Sequence, residues 1–329
     1  LQERQLAEDN KILLIRAGSH LYGTNTPESD EDFVGVFMPD KKHVFGFNHV
    51  EEVDLSVKNK NEDGKNTKDA IDKKLYEYRK FIKLAIEVNP NIIELLFVNP
   101  ENVLFINDYG KRLLEKRHLF PWIQTRKKIL AYAFNQKHKI FIKRDNYLDI
   151  ISGIDYLESL NNDTMYLAEA VQKTTFGQSI FKIRYDKDQN TKFVQIGDLN
   201  LQPYYHAKRA KEILQARADR FGHRLELVNK YSYDTKFAGN VIRLLFNGRR
   251  ILKTCELVMP FPEDERKILL EIKTGKWSLS QILDYSNELE REINALEKDT
   301  KLPKEPKTKE IEEFMISELW NFLHEQERQ

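Results

Sequence analysis

Three carboxylates are the groups in this chain best placed to do chemistry. Asp30 and Asp32 are one residue apart, and Asp72 follows forty residues on. An apolar run, Lys11 to Ala17, leads into Gly18-Ser19, and a second, Phe33 to Met38, follows the acidic pair. The pattern predicts a strand, a loop, and a new strand over about 30–38. On a strand, side chains alternate faces, so Asp30 and Asp32 are expected on one face. Carboxylates held side by side repel each other, and a divalent cation between them relieves that. Hard cations such as Mg²⁺ are held by one or two carboxylates plus substrate phosphates.

The elements that must position these groups can be read in outline. Residues 43–57 alternate loosely, as an extra strand would. Lys58 to Asn66 has no apolar residue and is expected to be a loop, mobile by composition. Lys73 to Tyr76 reads as a strand opening beside Asp72, and Tyr78 to Val88 as a helix with Phe81, Leu84, Ala85 and Val88 on one stripe. Asn89-Pro90 stops it, and Asn91 to Val98 and Tyr109 to Lys116 follow as helices. Pro121 is expected to open a long basic helix to Arg144 that continues through Asp145 to Gln172. Phe181 to Arg184 and Phe193 to Ile196 predict a small hairpin turning at 187–190. Further helices are expected over 206–230, over 234–255 with a break near Gly248, over 265–272, from Ser278 or Ser280 to 297, and over 310–326. The fold class predicted is α/β (α+β). A small mixed-sheet domain, 1–107, precedes a mostly helical domain, 108–329, with a β-hairpin insertion near 180–197.

No run reaches the roughly 18 apolar residues of a membrane span, which argues against a membrane protein. Residues 1–10 lack the apolar core of a secretory signal. The single Cys255 excludes an internal disulfide, and the cytosol (a cytoplasmic location) is the expected setting. The eight histidines show no metal-ligand spacing, so zinc is not expected. The net charge of +1 conceals an uneven distribution. Residues 1–64 hold 13 acids against 7 Lys+Arg, and 255–329 hold 18 against 11. Residues 111–144 hold 11 Lys+Arg against one acid, and 205–254 hold 12 against 4. Basic helices 111–144 and 205–254 suggest a polyanion such as RNA. Aromatic residues interleave the first of them, as stacking platforms would. The competing reading, slightly favoured, makes those aromatics core and those lysines solvated.

Gly-Ser, then Asp-x-Asp, then a lone Asp resembles the nucleotidyltransferase fold of the DNA polymerase β superfamily. The resemblance implies that Gly18 and Ser19 hold a nucleoside triphosphate, ATP included. It implies that Asp30, Asp32 and Asp72 are catalytic and bind two metal ions, Mg²⁺ or Mn²⁺. Gly18 to Asp32 is closer still to the bacterial and phage predicted nucleotidyltransferases, a group that includes the RNA-ligase-associated branch. Tyr76 to Phe81, Asn89 to Phe97, Tyr233 to Leu245, Ile272 to Trp277 and Leu302-Pro303 agree with that group. It usually has histidines where this chain has Phe237 and Asn240, while Lys236 and Arg243 are retained. Lys236, Arg243 and Tyr22 are accordingly candidates for nucleotide binding.

The function expected is transfer of a nucleoside monophosphate from an NTP to an acceptor hydroxyl on RNA, a tRNA or an RNA end, with release of pyrophosphate. Nucleotidylation of a protein or small molecule is the alternative. A non-catalytic nucleotide- or RNA-binding module is a third reading, which the intact carboxylates disfavour.

Overall fold

A computed structural model describes residues 2–27, 29–57, 71–186, 191–219, 230–326 and 328. The chain forms two compact units, Leu1–Phe134 with Gly239–Gln329, and Asn135–Ala238.

The first unit opens with helix α1 (Gln2–Asp9) and strand β1 (Lys11–Arg16). Ile12, Leu13 and Ile15 of β1 are all buried, because this strand lies inside the sheet and is covered on both faces. A one-turn helix, α2 (Gly18–Tyr22), follows, then β2 (Asp32–Phe37), α3 (Lys41–Phe45), β3 (Glu52–Asp54) and β4 (Asp72–Glu77). Next come α4 (Tyr78–Ile86), α5 (Pro90–Leu96), β5 (Val103–Ile106) and α6 (Asp108–Glu115). The five strands order as β3-β4-β2-β1-β5, with β2 and β4 parallel and the other pairs antiparallel. Ala7, Phe37, Val50, Val53 and Leu75 make one apolar cluster of this unit.

Local chemistry sets the helix starts here. The Glu77 carboxylate accepts from the Lys80 amide (3.1 Å) to cap α4. Asn89 accepts from the Asn91 amide (3.1 Å), and Pro90 stands in the first turn of α5. α6 lies close on β1: a Cβ on Gly110 would come within 2.3 Å of the Ile12 carbonyl oxygen.

Helix α7 (Gln124–Ser159) starts three residues after Pro121 and runs past the expected joint at Arg144. It ends where Asn161 takes a left-handed φ of 48°, a conformation asparagine tolerates, so the helix does not continue to Gln172. Next come α8 (Leu167–Gln172), α9 (Thr175–Ile180), β6 (Lys182–Asp186), β7 (Thr191–Ile196), β8 (Leu199–Leu201) and α10 (Ala207–Asp219). β6, β7 and β8 make an antiparallel sheet of three strands where a hairpin was expected. Its inner face, Val194, Ile196 and Leu201, joins Ile150, Ile154, Leu157, Phe181 and Leu214 in the core of the second unit. The expected turn at 187–190, the loop at 58–66 and residues 220–229 of the helix predicted over 206–230 lie outside the described residues.

The last four helices are α11 (Thr235–Thr254), α12 (Glu263–Lys273), α13 (Leu279–Leu296) and α14 (Thr308–Gln326). α11 runs unbroken through Gly248, whose missing Cβ makes room for Ile129 Cγ2 (2.9 Å) and Ile293 Cδ1 (3.2 Å). This glycine is a packing residue and not a break. Ser278 and Gln281 form a reciprocal capping box at the start of α13. α14 packs on α4, and Phe322 meets Tyr109 edge-on at 5.6 Å. Residues 108–134 and 239–329 therefore lie in the same compact unit as the sheet, and the units do not divide at 107. No helix among the described residues is long and apolar enough to cross a membrane.

Part of the charge asymmetry resolves inside this unit. The Arg112 guanidinium forks onto Glu318 (2.8 to 3.0 Å) and Arg126 meets Glu297 (2.9 Å). Arg249 meets Glu265 (2.8 Å) and Glu292 (3.4 Å), Arg250 meets Glu265, and Lys253 meets Glu292. The basic middle and the acidic end are partners of one another at these positions. Of the interleaved aromatics, Phe120 is buried and the Trp122 indole donates to the Ile86 carbonyl (3.2 Å), while Phe134 is exposed.

Candidate active site

β2 begins at Asp32, two residues later than expected. The Ala17 amide donates to the Asp32 carbonyl (2.8 Å) and closes the ladder there. Before it the chain turns: the Ser29 amide donates to the Thr26 carbonyl and the Thr26 amide to Ser29 Oγ, both at 2.9 Å. Asp30 is therefore an exposed loop residue, and strand alternation does not pair it with Asp32.

Asp32 has a different neighbour. In the parallel β2–β4 ladder, Asp32 stands directly opposite Asp72. Adjacent strands lie roughly 4.8 Å apart, so two carboxylates share one edge of the sheet. Gly18 closes on the same point from above. Its φ is +62°, and a Cβ there would lie 2.2 Å from Asp32 Oδ2. Only glycine allows both the left-handed turn and the carboxylate beneath it.

The ladders extend this face. Val34 stands opposite Lys74, and Lys74 opposite Asp54 on β3. Continuing that register past Asp54 brings Ser56 beside Asp72; Ser56 Oγ accepts from the Lys73 amide (3.1 Å) and the Ser56 amide donates to Asp54 Oδ1 (2.9 Å). The Lys74 ammonium meets Glu52 (3.0 Å) and lies 5.8 Å from the Tyr76 ring. Its hydrogen bond to Glu52, aided by the nearby Tyr76 and Asp54, holds Lys74 above the ordinary lysine range. Lys73 is directed to the other face, where it pairs with Glu8.

These residues line a cleft of about 380 Å³. Ala17, Gly18, Tyr22, Asp32, Asp72 and Lys74 form one side of its lining, with Asn91, Glu94 and Leu95 of α5 contributing the wall. That volume is in the range of small-molecule sites. Behind the wall lies a buried polar network. Glu94, 3% exposed, accepts from the Tyr22 hydroxyl through one oxygen. Through the other it accepts from Arg243 and from Asn247 Nδ2 (3.3 Å). The Arg243 guanidinium lies 4.7 Å from the Tyr22 ring centroid. Burial pushes the Tyr22 phenol well up, so it stays a hydrogen-bond donor. Burial works against the charge of Arg243, but the Glu94 carboxylate, with Tyr22, outweighs it and holds Arg243 above its ordinary range.

The structure thus brings Gly18, Tyr22, Asp32 and Asp72 into one cleft. Ser19 stands in the first turn of α2, its carbonyl accepting from the Thr24 amide (2.9 Å), and is not among the residues that line the cleft. Arg243 is not among the residues that line the cleft; it lies behind them as the buried partner of Glu94, with its guanidinium committed there. Lys236 lies in the second unit, exposed in the first turn of α11, its amide donating to Asp234 Oδ1 (2.9 Å). Phe237 is buried and serves packing there. Among the described residues, no group of three or more His, Cys, Asp or Glu side chains converges to hold a metal. Asp32 and Asp72 nonetheless offer two hard oxygen donors at an open edge. That donor set fits a divalent cation completed by phosphate oxygens and water, not an all-protein cage. Asp54, Ser56, Lys74, Asn91 and Glu94 were missed from the sequence. Their only local signal is the Lys-Lys after Asp72 and the Asn-Pro-Asn start of α5.

The structure thus sets a glycine turn over a strand-borne carboxylate, with a second carboxylate in register on the parallel neighbour, where the sequence had suggested Asp30 as the partner of Asp32. Residues 1–146 match the family model described as RlaP, the RNA repair pathway DNA polymerase beta family. That match supports a DNA polymerase β superfamily nucleotidyltransferase. A protein of Enterobacteria phage T4, described as an uncharacterized 38.9 kDa protein in the nrdC-mobD intergenic region, is 26% identical over 297 residues. That alignment spans 84% of this chain and 87% of the phage protein, so the likeness continues well past the nucleotidyltransferase domain. No solved structure matches the chain.

Proposed function

We propose that this chain is a metal-dependent nucleotidyltransferase. It moves a nucleoside monophosphate from an NTP to an acceptor hydroxyl and releases pyrophosphate. The observation that supports this reading is the register of Asp32 against Asp72 beneath the Gly18 turn. Two like charges directly opposite each other are unfavourable in a sheet, and an edge that keeps them suits a cation bridging to phosphates.

In this reading the triphosphate lies against the Gly18 turn. Asp32 and Asp72 hold Mg²⁺ or Mn²⁺, and Asp30 joins them from its loop for a second ion. When bound, the metal neutralises phosphate charge and lowers the barrier to attack. The acceptor oxygen bonds to the α-phosphorus, and the bond from that phosphorus to the bridging oxygen breaks. The electron pair leaves with pyrophosphate, and the acceptor's proton passes to solvent. Lys74, on the same face as Asp72 and two residues along, offers a cation for the departing charge. Such transfers depend chiefly on positioning and charge stabilisation.

RNA is the acceptor we propose, and the cytosol the setting. The family description, which names RNA repair, supports the acceptor. The basic helices support it less than their composition suggested, because Arg112, Arg126, Arg249 and Arg250 are spent on internal acids. The test is incubation with each labelled NTP, Mg²⁺ or Mn²⁺, and either total RNA or protein. Label in RNA is expected. Label in protein alone would replace the acceptor, and undiminished transfer by Asp32→Asn would remove the assigned site.

A further inference from the structure

Asn91 stands exposed on the first turn of α5 and lines the cleft. A carboxamide has an acceptor end and a donor end, and its neighbours decide which is presented. Here Arg243 decides. A guanidinium carries donors only, and Arg243 Nη2 donates to Asn91 Oδ1 (3.2 Å). That bond uses one lone pair of the Asn91 oxygen and sets which way the amide is turned. Its amino group, with two N–H donors, has no hydrogen bond to protein among the described residues and is the end left for the cleft.

Arg243 cannot easily turn to allow the opposite arrangement. It is 7% exposed, paired with Glu94 through Nη1, and stacked near the Tyr22 ring. Glu94 is fixed in turn by Tyr22 on one oxygen and Asn247 on the other. The network therefore reaches from α11 through α5 to the turn after β1, and its one solvent-facing amide is Asn91.

We propose that Asn91 is a base-specificity residue of the cleft, donating to an acceptor atom on the nucleobase of the bound NTP, with Arg243 and Glu94 positioning it. This rests on the proposed use of NTP. The phosphates are drawn to the Gly18, Asp32 and Asp72 end, and the α5 wall of the same cleft is open to the nucleoside. A fixed donor pair accepts a ring carbonyl or ring nitrogen. It rejects an exocyclic amino group, because two donors would face each other with neither satisfied. Discrimination of this kind exceeds what an apolar wall gives, since the wrong base leaves polar groups unpaired. Tyr22 and Arg243 then act on the nucleotide through Asn91, without themselves touching phosphate.

The experiment measures Mg²⁺-dependent binding of ATP, GTP, CTP and UTP by the full chain and by Asn91→Leu, Asn91→Asp and Arg243→Lys. The native chain is expected to bind its best base at least tenfold more tightly than its worst. Asn91→Leu should compress that ratio to within about threefold. Asn91→Asp, an acceptor in place of a donor, should reverse the order. Arg243→Lys keeps a charge for Glu94 but loses the fork, so the ratio should fall even where the melting temperature is kept. An Asn91→Leu variant with the native base ratio, or a native chain with no preference among the bases it binds, would overturn the role of Asn91 and leave NTP use standing. A native chain that binds no NTP would overturn both, and so marks the failure of the function itself.

Discussion

Replacing Arg243 by Met is expected to be among the costliest single changes in the chain. The substitution keeps an apolar stem of similar length and removes the guanidinium. Glu94, 3% exposed, then keeps a carboxylate with no cation beside it. Stranding one partner of a buried ion pair costs about 3–5 kcal/mol. Here Tyr22 and Asn247 still donate to Glu94, which places the change toward the lower end, about 3 kcal/mol. For a unit of 150–250 residues each kcal/mol shifts the midpoint roughly 2–4 °C, so Arg243→Met should melt about 6–12 °C below the native chain. Adding Glu94→Gln removes the stranded charge while leaving an oxygen for Tyr22. The double variant should therefore melt above Arg243→Met, with a coupling of about 1–3 kcal/mol in the thermal cycle. Scanning calorimetry of the four proteins at pH 7 measures this. If Arg243→Met melts within about 2 °C of the native chain, or the two changes add without coupling, the buried network is not what holds the wall of the cleft.

Gly18→Ala forces an L residue into a left-handed turn with its Cβ 2.2 Å from Asp32 Oδ2; transfer should fall about a hundredfold, because the carboxylate must move, and the melting point should drop with it. By contrast, Gly239→Ala, which meets nothing within 4 Å inside α11, should raise stability by about 0.4–1 kcal/mol in calorimetry. Asp72→Asn relieves the cross-strand charge pair, so a slightly higher melting temperature together with lost transfer is expected. Burial pushes the Glu292 carboxyl up, but Lys253 and Arg249 pull it below its ordinary value of 4.5. Its folded value thus lies under its unfolded one, so its contribution is complete above that ordinary value and disappears as pH falls through the lowered one. Glu292→Gln should lower the melting temperature at pH 7 and lower it progressively less as the pH is taken below 4.5, and a loss that does not change with pH would refute the sign.

What could be read from the sequence is what is local. Gly18, the strands on either side of it and the start of β4 at Asp72 are written in short runs of polar and apolar residues, as are the caps at Asn89 and Ser278. The partner of Asp32 was not local. Alternation within one strand suggested Asp30, but the Thr26–Ser29 turn delays the strand, and the partner is Asp72 through parallel register. Asp54 and Lys74 reach the cleft by that same register, which a sequence with no pattern between β3 and β4 does not specify. The Arg243–Glu94 pair joins residues 149 positions apart. The basic stretches were only partly legible for a related reason. Composition reports charge but not the distant acids, Glu265, Glu292, Glu297 and Glu318, that fold against it. Gly248 looked like a break because glycine in a helix usually weakens it; here the space beside it is filled by Ile129 and Ile293.

The central claim is that the cleft over Asp32 and Asp72 transfers a nucleotide. The direct measurement uses one NTP labelled at either the α- or the γ-phosphate, Mg²⁺ and RNA, with the native chain and with Asp32→Asn/Asp72→Asn. Label from the α-phosphate should enter the RNA one for one with pyrophosphate released, label from the γ-phosphate should leave with the pyrophosphate, and the double variant should do neither. Entry of γ-label into the acceptor, or α-label transfer that survives loss of both carboxylates, would contradict the claim.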